Sequence, residues 1–140
     1  AHTPDSLEAL YSTFKGYENI CILGNTGGGR DKWKRPVMGK IAEIHCTEII
    51  LTNEDPYDED PRVILEEIAG GMTEKKPMII LDRREAIAKG IDLAKELGNP
   101  ALLITGKGTD PYIMGPNGTK TPWDDRDVAK EELMASRKYS

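Results

Sequence analysis

The residues best suited to chemistry lie in a glycine-rich, basic segment from Gly24 to Pro36, between a predicted strand and a predicted helix. Its three consecutive glycines, 27–29, let the backbone approach a ligand closely. Arg30 follows directly, and three more cations precede Pro36: Lys32, Lys34 and Arg35. Because a helix N-terminus adds free N–H groups and a partial positive charge, the segment is suited to hold a carboxylate or a phosphate. The alternative is a flexible turn with solvated cations.

Two standard nucleotide-binding patterns are missing from this segment. A Walker A loop requires Gly, four residues, then Gly-Lys-Ser/Thr. Counted from Gly24, the last three positions hold Gly29, Arg30 and Asp31, so no hydroxyl is placed to bind magnesium. The dinucleotide pattern Gly-x-Gly-x-x-Gly is also absent. The residues alone therefore leave the choice between carboxylate and phosphate open.

Two further loops offer polar groups for a ligand. In the acidic segment from Asn53 to Pro61, Glu54 and Asp55 follow a predicted strand, stand near Tyr57 and could receive an ammonium group. Three later carboxylates are expected to cap the next helix or to face solvent: Asp58, Glu59 and Asp60. The turn from Gly106 to Asp110 also combines glycines with a cation after a predicted strand, so it could bind a ligand as the first glycine segment could. The alternative is a plain strand-to-hairpin turn.

Alternating strands and helices must position these loops. Short apolar segments predict four strands: Asn19–Leu23, Glu48–Thr52, Met78–Leu81 and Ala101–Thr105. Five helices are predicted between the strands and at both ends of the chain: from Pro4 towards Gly16, Pro36–His45, Pro61–Ala69, Asp82 to Leu97, and from Asp124 or Asp125 to about Ser136. Asp82 is the predicted cap of the fourth helix. In the second helix, Val37, Ile41 and Ile44 are expected to be buried. A β-hairpin is predicted from Tyr112–Met114 and Lys120–Pro122. This order predicts an α/β fold with a mainly parallel sheet, and the loops after its strands share the edge where such sheets bind ligands.

The composition predicts a single globular domain. The 140 residues carry a net charge of −5, which argues against a nucleic-acid partner, and no apolar run approaches the ~20 residues that span a membrane. Cys21 and Cys46 lack a metal-ligand spacing, and we expect Cys21 to be a buried thiol in a reduced, cytoplasmic setting. Because the first residue is Ala1 rather than Met, the chain is expected to be a piece of a longer protein.

Five segments, taken together, resemble in order and spacing the C-terminal domain of the Mur ligase family, and within that family the MurE type. They are Ala1–Glu8, Gly27–Gly39, Thr52–Pro61, Asp82–Ile87 and Gly106–Gly108. The resemblance runs nearly end to end and implies one Rossmann-like α/β domain over residues 1–140, with a mainly parallel sheet flanked by helices. It also implies that the complete protein is an ATP-dependent amide ligase of peptidoglycan synthesis.

Ligases of this family phosphorylate the terminal carboxylate of a muramoyl dipeptide, UDP-MurNAc-L-Ala-D-Glu, and the amine of a diamino acid then attacks the acyl phosphate. The resemblance implies ATP and Mg2+ as cofactors, bound mainly by a central domain, and a UDP-sugar site in an N-terminal domain. Neither domain falls within residues 1–140, so we expect no catalytic or metal-binding residue here and no activity from this domain alone. The expected partners are the dipeptide, the diamino acid and the remaining ligase domains, without nucleic acid or membrane.

Matching positions imply substrate contacts. Arg30 resembles the arginine that binds the carboxylate of the incoming amino acid, which a guanidinium can do bidentately. The far end of that amino acid is expected to contact two other loops, at Glu54, Asp55, Pro56, Tyr57, Gly106 and Asp110. His2 resembles a histidine at the hinge into the domain and is expected near the nucleotide. Lys32, Lys34 and Arg35 are candidates to face phosphate.

One departure from the family pattern bears on the substrate. Members that add meso-diaminopimelate read Asp-Asn-Pro-Arg after the second strand, where residues 54–57 here read Glu-Asp-Pro-Tyr. Because Tyr57 replaces the arginine that would hold a second carboxylate, our hypothesis is that the added residue is L-lysine or a similar diamino acid. Lys32 and Lys107 are the cations that could replace that arginine. Two alternatives stay open: the equivalent domain of a cyanophycin- or folate-type ligase, and a stand-alone, non-catalytic α/β module that binds an anion.

Overall fold

The computed structural model of the chain describes residues 4–24, 32–54, 58–105, 112–114, 120–122 and 125–138. Within these ranges the chain forms five helices: α1 (Pro4–Thr13), α2 (Lys34–His45), α3 (Pro61–Ala69), α4 (Arg83–Lys95) and α5 (Asp125–Lys138). The same ranges contain six strands: β1 (Glu18–Leu23), β2 (Glu48–Leu51), β3 (Met78–Ile79), β4 (Pro100–Ile104), β5 (Tyr112–Met114) and β6 (Lys120–Pro122). Each predicted helix and strand is confirmed, with boundaries shifted by a few residues.

The central sheet is parallel and runs in the order β3-β2-β1-β4. Cys21 at the middle of β1 pairs with Ile49 on one side and with Leu103 on the other. All residues of β1 after Glu18 are buried, as expected for a parallel strand that is covered on both faces. β5 and β6 pair with each other as an antiparallel hairpin. The predicted α/β class, the parallel sheet and the C-terminal hairpin are therefore confirmed.

The strand order creates a switch point at the centre of the sheet. From β1 the chain adds β2 and then β3 on one side, and it afterwards returns to place β4 on the other side of β1. In open α/β sheets the connections diverge at such a point, and the carboxyl ends of the two strands on either side, here β1 and β4, are the expected position of a ligand.

Two apolar clusters cover the two faces of the sheet. Cys21 and Leu23 of β1 belong to the cluster that includes residues of α1, α2 and α3. The intervening Ile22, together with Ile50 of β2, belongs to the cluster that includes α4 and Val128 of α5. This alternation follows from the two-residue period of a strand, and it explains why β1 is apolar throughout.

The buried face of α2 differs from the predicted stripe. The sequence predicts Val37 and Ile44 inside, but they are 39% and 64% exposed, and Met38 is buried instead. The difference arises because α2 approaches α3 closely at Gly39. A Cβ atom on Gly39 would lie only 2.0 Å from the carbonyl oxygen of Ile68. This approach turns the Gly39 face of α2 inward and leaves the β-branched residues outside.

Aspartate caps begin two helices, as the sequence predicts. At α3, the Asp60 side chain accepts a hydrogen bond of 2.9 Å from the backbone N–H of Arg62. At α4, the Asp82 side chain accepts one of 3.0 Å from the backbone N–H of Glu85. Each bond satisfies a donor that the first turn of a helix leaves without an internal partner. The caps thereby fix where both helices start relative to the strands that precede them.

The carboxylate of Glu43 holds the segment that connects α3 to β3. Its Oε2 accepts hydrogen bonds from the backbone N–H groups of Glu74 and Lys75, at 2.7 and 2.9 Å. Its Oε1 lies 3.3 Å from Nζ of Lys40. These contacts favour the charged carboxylate, the two backbone donors most of all, and they lower the pKa of Glu43 from its ordinary value near 4.5 to about 2.

A disulfide joins Cys21 of β1 to Cys46, the residue that follows α2. Both residues are buried, which confirms the expected burial of Cys21, but the prediction of a thiol at this position is wrong. The parallel crossover through α2 returns the chain beside β1 and brings the two Cα atoms to 6.1 Å. Because the two cysteines are 25 residues apart along the chain, their spacing in the sequence did not indicate this pairing. A disulfide also counts against the expected fully reduced setting.

Candidate ligand-binding edge

Three loops leave the carboxyl edge of the sheet side by side. The N–H of Thr52, after β2, donates to the carbonyl oxygen of Leu23 at 3.0 Å. Beyond β4, Thr105 donates to the carbonyl oxygen of Ile22 through its N–H at 3.0 Å and through Oγ1 at 3.2 Å. These bonds continue the sheet to its end and hold the starts of the loops that follow β1, β2 and β4. The sequence places Arg30, the acidic segment and Gly106 in these three loops.

Of the predicted substrate residues, Glu54 is within the described part of the chain. The other predicted residues lie outside it: His2, Arg30, Asp55, Pro56, Tyr57, Gly106, Lys107 and Asp110. Their proposed contacts therefore stay predictions. The described residues on either side nevertheless fix the places from which the three loops start.

Gly24 and Glu54 lie together where the first two loops begin. A Cβ atom on Gly24 would lie 2.3 Å from the carbonyl oxygen of Thr52 and 3.4 Å from Cβ of Glu54. Only glycine fits such an approach, so Gly24 allows the loop after β1 to leave directly beside the loop after β2. Glu54 is only 4% exposed, so the structure places this acidic group at the base of the edge, shielded from bulk solvent.

Arg83, at the start of α4, connects two of the loops from below. Its side chain donates from Nη1 to the carbonyl oxygen of Asn53 at 3.1 Å and from Nη2 to that of Thr105 at 2.9 Å. The residue is 2% exposed. Sequence reasoning assigned no role to Arg83, although it lies in the Asp82–Ile87 segment that carries the family resemblance. The sequence signal that could have identified Arg83 is an arginine directly after a helix-capping aspartate, at the edge of the sheet where ligands bind.

Arg35 has a different role from the one that the sequence suggested. Its side chain is fully buried and donates to Glu59 at 3.0 and 3.2 Å and to Glu67 at 2.7 Å. Burial by itself lowers the pKa of the Arg35 guanidinium, but the bonds to the two carboxylates outweigh it and raise the pKa above its usual value. Arg35 therefore joins α2 to α3 instead of facing phosphate, and Glu59 is an ion-pair partner instead of a solvated carboxylate.

The lysines around the start of α2, Lys32 and Lys34, are more accessible than Arg35. Lys32 is exposed, and Trp33 is 64% exposed. Nζ of Lys34 lies 5.8 Å from the centre of the Trp33 ring, within range of a weak cation–π contact. These side chains follow the glycine-rich segment in the sequence, so basic and aromatic residues adjoin it along the chain.

A separate cavity of about 500 Å³ lies between α4, β4 and α5. Its lining is mostly aliphatic and includes Ile91, Leu102 and Leu133. Because it also contains Pro100, where β4 begins, it lies towards the opposite end of the sheet from the three loops. Among the described residues, its charged lining side chains are two lysines, Lys95 and Lys130, without a carboxylate to receive an ammonium group.

The described residues contain neither a cluster of metal-ligand type nor a membrane-spanning helix. Within the described ranges, no three His, Cys, Asp or Glu residues come together as a possible metal site. The helices in this part of the chain also include none with the length and apolar character needed to cross a membrane.

A parallel α/β sheet with a switch point between β1 and β4 and with helices on both faces defines a domain of the Rossmann-like class. The family described as Mur ligase, glutamate ligase domain, matches residues 1–108, and the chain belongs to this family. The resemblance inferred from the five sequence segments is thereby confirmed.

Comparison with individual proteins indicates the MurE type. The chain is 45% identical over 137 residues to the UDP-N-acetylmuramoyl-L-alanyl-D-glutamate--2,6-diaminopimelate ligase of Aquifex aeolicus, covering 95% of this chain and 28% of that protein. Ligases of the same name from Synechococcus elongatus and Bacillus cereus are 42% and 41% identical, each over 95% of this chain and 27% of the relative. A solved structure of a ligase of this name has a TM-score of 0.87 at 31% identity and covers 98% of this chain and 28% of that one. The chain thus spans little more than a quarter of the length of these relatives.

Proposed function

We propose that this chain is the amino-acid-binding domain of an ATP-dependent ligase that adds a diamino acid to UDP-MurNAc-L-Ala-D-Glu in peptidoglycan synthesis. The observation that carries the proposal is 45% identity, over 95% of the chain, to a ligase named for such a reaction. Family membership and the match to a solved ligase of the same name support it. These relatives favour it over a cyanophycin- or folate-type ligase domain and over a non-catalytic anion-binding module.

The proposed site uses the three loops at the carboxyl edge. Arg30, after β1, binds the carboxylate of the incoming amino acid with both arms of its guanidinium. The acidic loop with Asp55 and the loop with Gly106 and Asp110 bind the far end of the same molecule. Closure against the neighbouring domain then brings the reacting amine to the acyl phosphate and excludes water.

The acidic loop also determines which amine can react. A diamino acid has two amines, and the nucleophile must be uncharged when it attacks. Carboxylates such as Glu54 and Asp55 stabilise the charged ammonium form of a nearby amine and raise its pKa. An amine held by this loop is therefore kept protonated, and the amine near the Arg30 end reacts.

ATP and Mg2+ are proposed to be held mainly by a central domain outside residues 1–140, and the UDP-sugar by an N-terminal domain. The described residues do not fit a triphosphate site, because Arg35 is buried and paired with two carboxylates. The loop from Gly24 also lacks the hydroxyl of a Walker loop. When bound, ATP supplies the phosphoryl group that activates the carboxylate of the dipeptide. We propose that His2 faces the nucleotide, because it matches a hinge histidine in the family pattern.

The identity of the diamino acid has two candidates. The names of the relatives favour 2,6-diaminopimelate. The residues of the acidic loop favour L-lysine, because Asp55 and Tyr57 offer an acceptor for an ammonium group and no cation for a second carboxylate. Lys107 or Lys32 would have to supply that cation if diaminopimelate is the substrate.

Amino-acid incorporation by the complete ligase tests the function and the substrate together. The enzyme is given ATP, Mg2+, the UDP-linked dipeptide and equal concentrations of lysine and diaminopimelate, and the tripeptide product is identified by mass. ATP-dependent formation of either product supports the function, and the product ratio selects the substrate. No amide product with either diamino acid contradicts the proposal. The Tyr57→Arg variant, expected to shift the ratio towards diaminopimelate, tests the part played by the acidic loop.

Residues 1–140 alone provide the test of domain organisation. We expect no amide formation and no ATP hydrolysis from this polypeptide, because the activating domain is separate. Turnover by residues 1–140 contradicts that expectation. We also propose a cytoplasmic location, where ATP and the UDP-linked precursor are available; burial of both cysteines limits the access of thiol reductants to the disulfide there.

A further inference from the structure

Arg83 spans two strand ends that are not neighbours in the sheet. One bond goes to Asn53, beyond β2, and the other to Thr105, beyond β4, while β1 lies between these strands. The bonded carbonyl groups come immediately before Glu54 and Gly106, the first residues of the two loops proposed to bind the far end of the amino acid. Arg83 therefore fixes the distance between the bases of these loops.

A guanidinium is suited to this position because its donors form a rigid, planar fork. Asp82 caps α4 and fixes the start of the helix, so Arg83 leaves the first turn at a set place below the loops. The ladder hydrogen bonds already pair β1 with β2 and with β4 without Arg83. A charged side chain that is 2% exposed is costly to bury, and two of the bonds that Arg83 makes connect the ends of strands that do not pair with each other.

We propose that Arg83 is a positioning residue of the amino-acid site, which sets the distance between Asn53 and Thr105, the residues from which the two proposed loops start. The inference rests on the proposed function. In this role Arg83 touches neither the dipeptide nor ATP, and it acts on the amino acid through the two loops. Its loss should therefore raise the KM for the diamino acid selectively, because the distance between the starting points of the two loops is then no longer fixed.

The neighbouring arginine is a matched control. Arg84 has the same charge and also lies in the first turn of α4, but it pairs with Glu131 and Glu132 of α5 at 3.1 and 3.0 Å. Its side chain is 43% exposed and makes these contacts on the surface. Substituting Arg84→Met changes the net charge by the same amount as Arg83→Met and leaves the loop contacts in place.

The experiment measures kcat and the KM of each substrate in the complete ligase carrying Arg83→Met, Arg83→Lys or Arg84→Met. Both Arg83 variants should raise the KM for the diamino acid tenfold or more, with the KM values for ATP and dipeptide within about twofold of the parent. Arg83→Lys should lose nearly as much as Arg83→Met, because one ammonium is a point charge that lacks the fork. Arg84→Met should leave all three KM values unchanged.

Three results would overturn the proposal. The first is an unchanged KM for the diamino acid in both Arg83 variants. The second is an equal rise in all three KM values, and the third is failure of both Arg83 variants to fold, because a purely structural role then suffices. An inactive parent enzyme is a different result, because it counts against the proposed function itself.

Discussion

The ion pairs of Arg35 allow a worked prediction of stability. The Arg35 side chain is 0% exposed and bonds to Glu59 and Glu67, which are 18% and 35% exposed. Substituting Arg35→Met removes the cation but keeps much of its volume, and it leaves two carboxylates close together. Removing one partner of a buried pair costs about 3–5 kcal/mol. Because both carboxylates can recover water, we expect a loss of about 2–3 kcal/mol from the free energy of unfolding.

Urea denaturation followed by circular dichroism measures this loss, and the slope of the transition should stay unchanged. In thermal denaturation the Tm should fall by about 8–12 °C, at roughly 4 °C for each kcal/mol in a domain of this size. The Glu67→Gln substitution, made in the parent and in the Arg35→Met background, completes a double-mutant cycle. Its coupling energy should be about 1 kcal/mol or more. A loss below about 0.5 kcal/mol, or zero coupling, refutes the view that these pairs stabilise α2 against α3.

Three further predictions concern stability. Because the pKa of Glu43 is lowered to about 2, the contribution of its carboxylate to the free energy of unfolding is complete above about pH 4.5 and is lost as the pH falls towards 2. The Glu43→Gln substitution should therefore flatten the pH dependence of the urea midpoint between these pH values. An unchanged pH profile would contradict this prediction. Replacing Cys21 and Cys46 together by alanine should lower the free energy of unfolding by about 3 kcal/mol, because the disulfide no longer restricts the unfolded chain by closing a loop. Equal urea midpoints for the variant and the oxidised parent would contradict this prediction. The buried hydroxyl of Tyr11 has no hydrogen-bond partner among the described residues, so Tyr11→Phe should raise the free energy of unfolding by about 1 kcal/mol; a lower Tm in the variant would count against this.

The order of elements was predictable because it depends on local signals. Apolar runs such as 19–23 marked the strands, and Asp60 and Asp82 marked two helix starts by their position before an amphipathic segment. The same signals did not locate the buried face of α2, because that face depends on how closely a neighbouring helix approaches at Gly39. Periodicity shows that a helix is amphipathic, but the partner helix decides which side is covered.

The position of the site was predictable from topology, and its supporting contacts were not. Parallel strands with right-handed crossovers place the loops after β1, β2 and β4 at one edge, whatever their detailed structure. Arg35 and Arg83 are charged residues that sequence reasoning assigns to the surface by default. Their burial depends on acceptors that lie 22 or more residues away along the chain, such as Glu59 and Thr105, and such acceptors become neighbours only in the fold.

The first question raised by the sequence was whether the glycine-rich, basic segment holds a carboxylate or a phosphate. Kinetics of the complete ligase carrying Arg30→Ala answer it directly. We expect the KM for the diamino acid to rise by about 100-fold or more, as for the loss of a bidentate, charge-assisted contact worth roughly 3 kcal/mol, with the KM for ATP within threefold of the parent. A large rise in the KM for ATP, with an unchanged KM for the diamino acid, would show that Arg30 binds phosphate and would contradict the proposed amino-acid site.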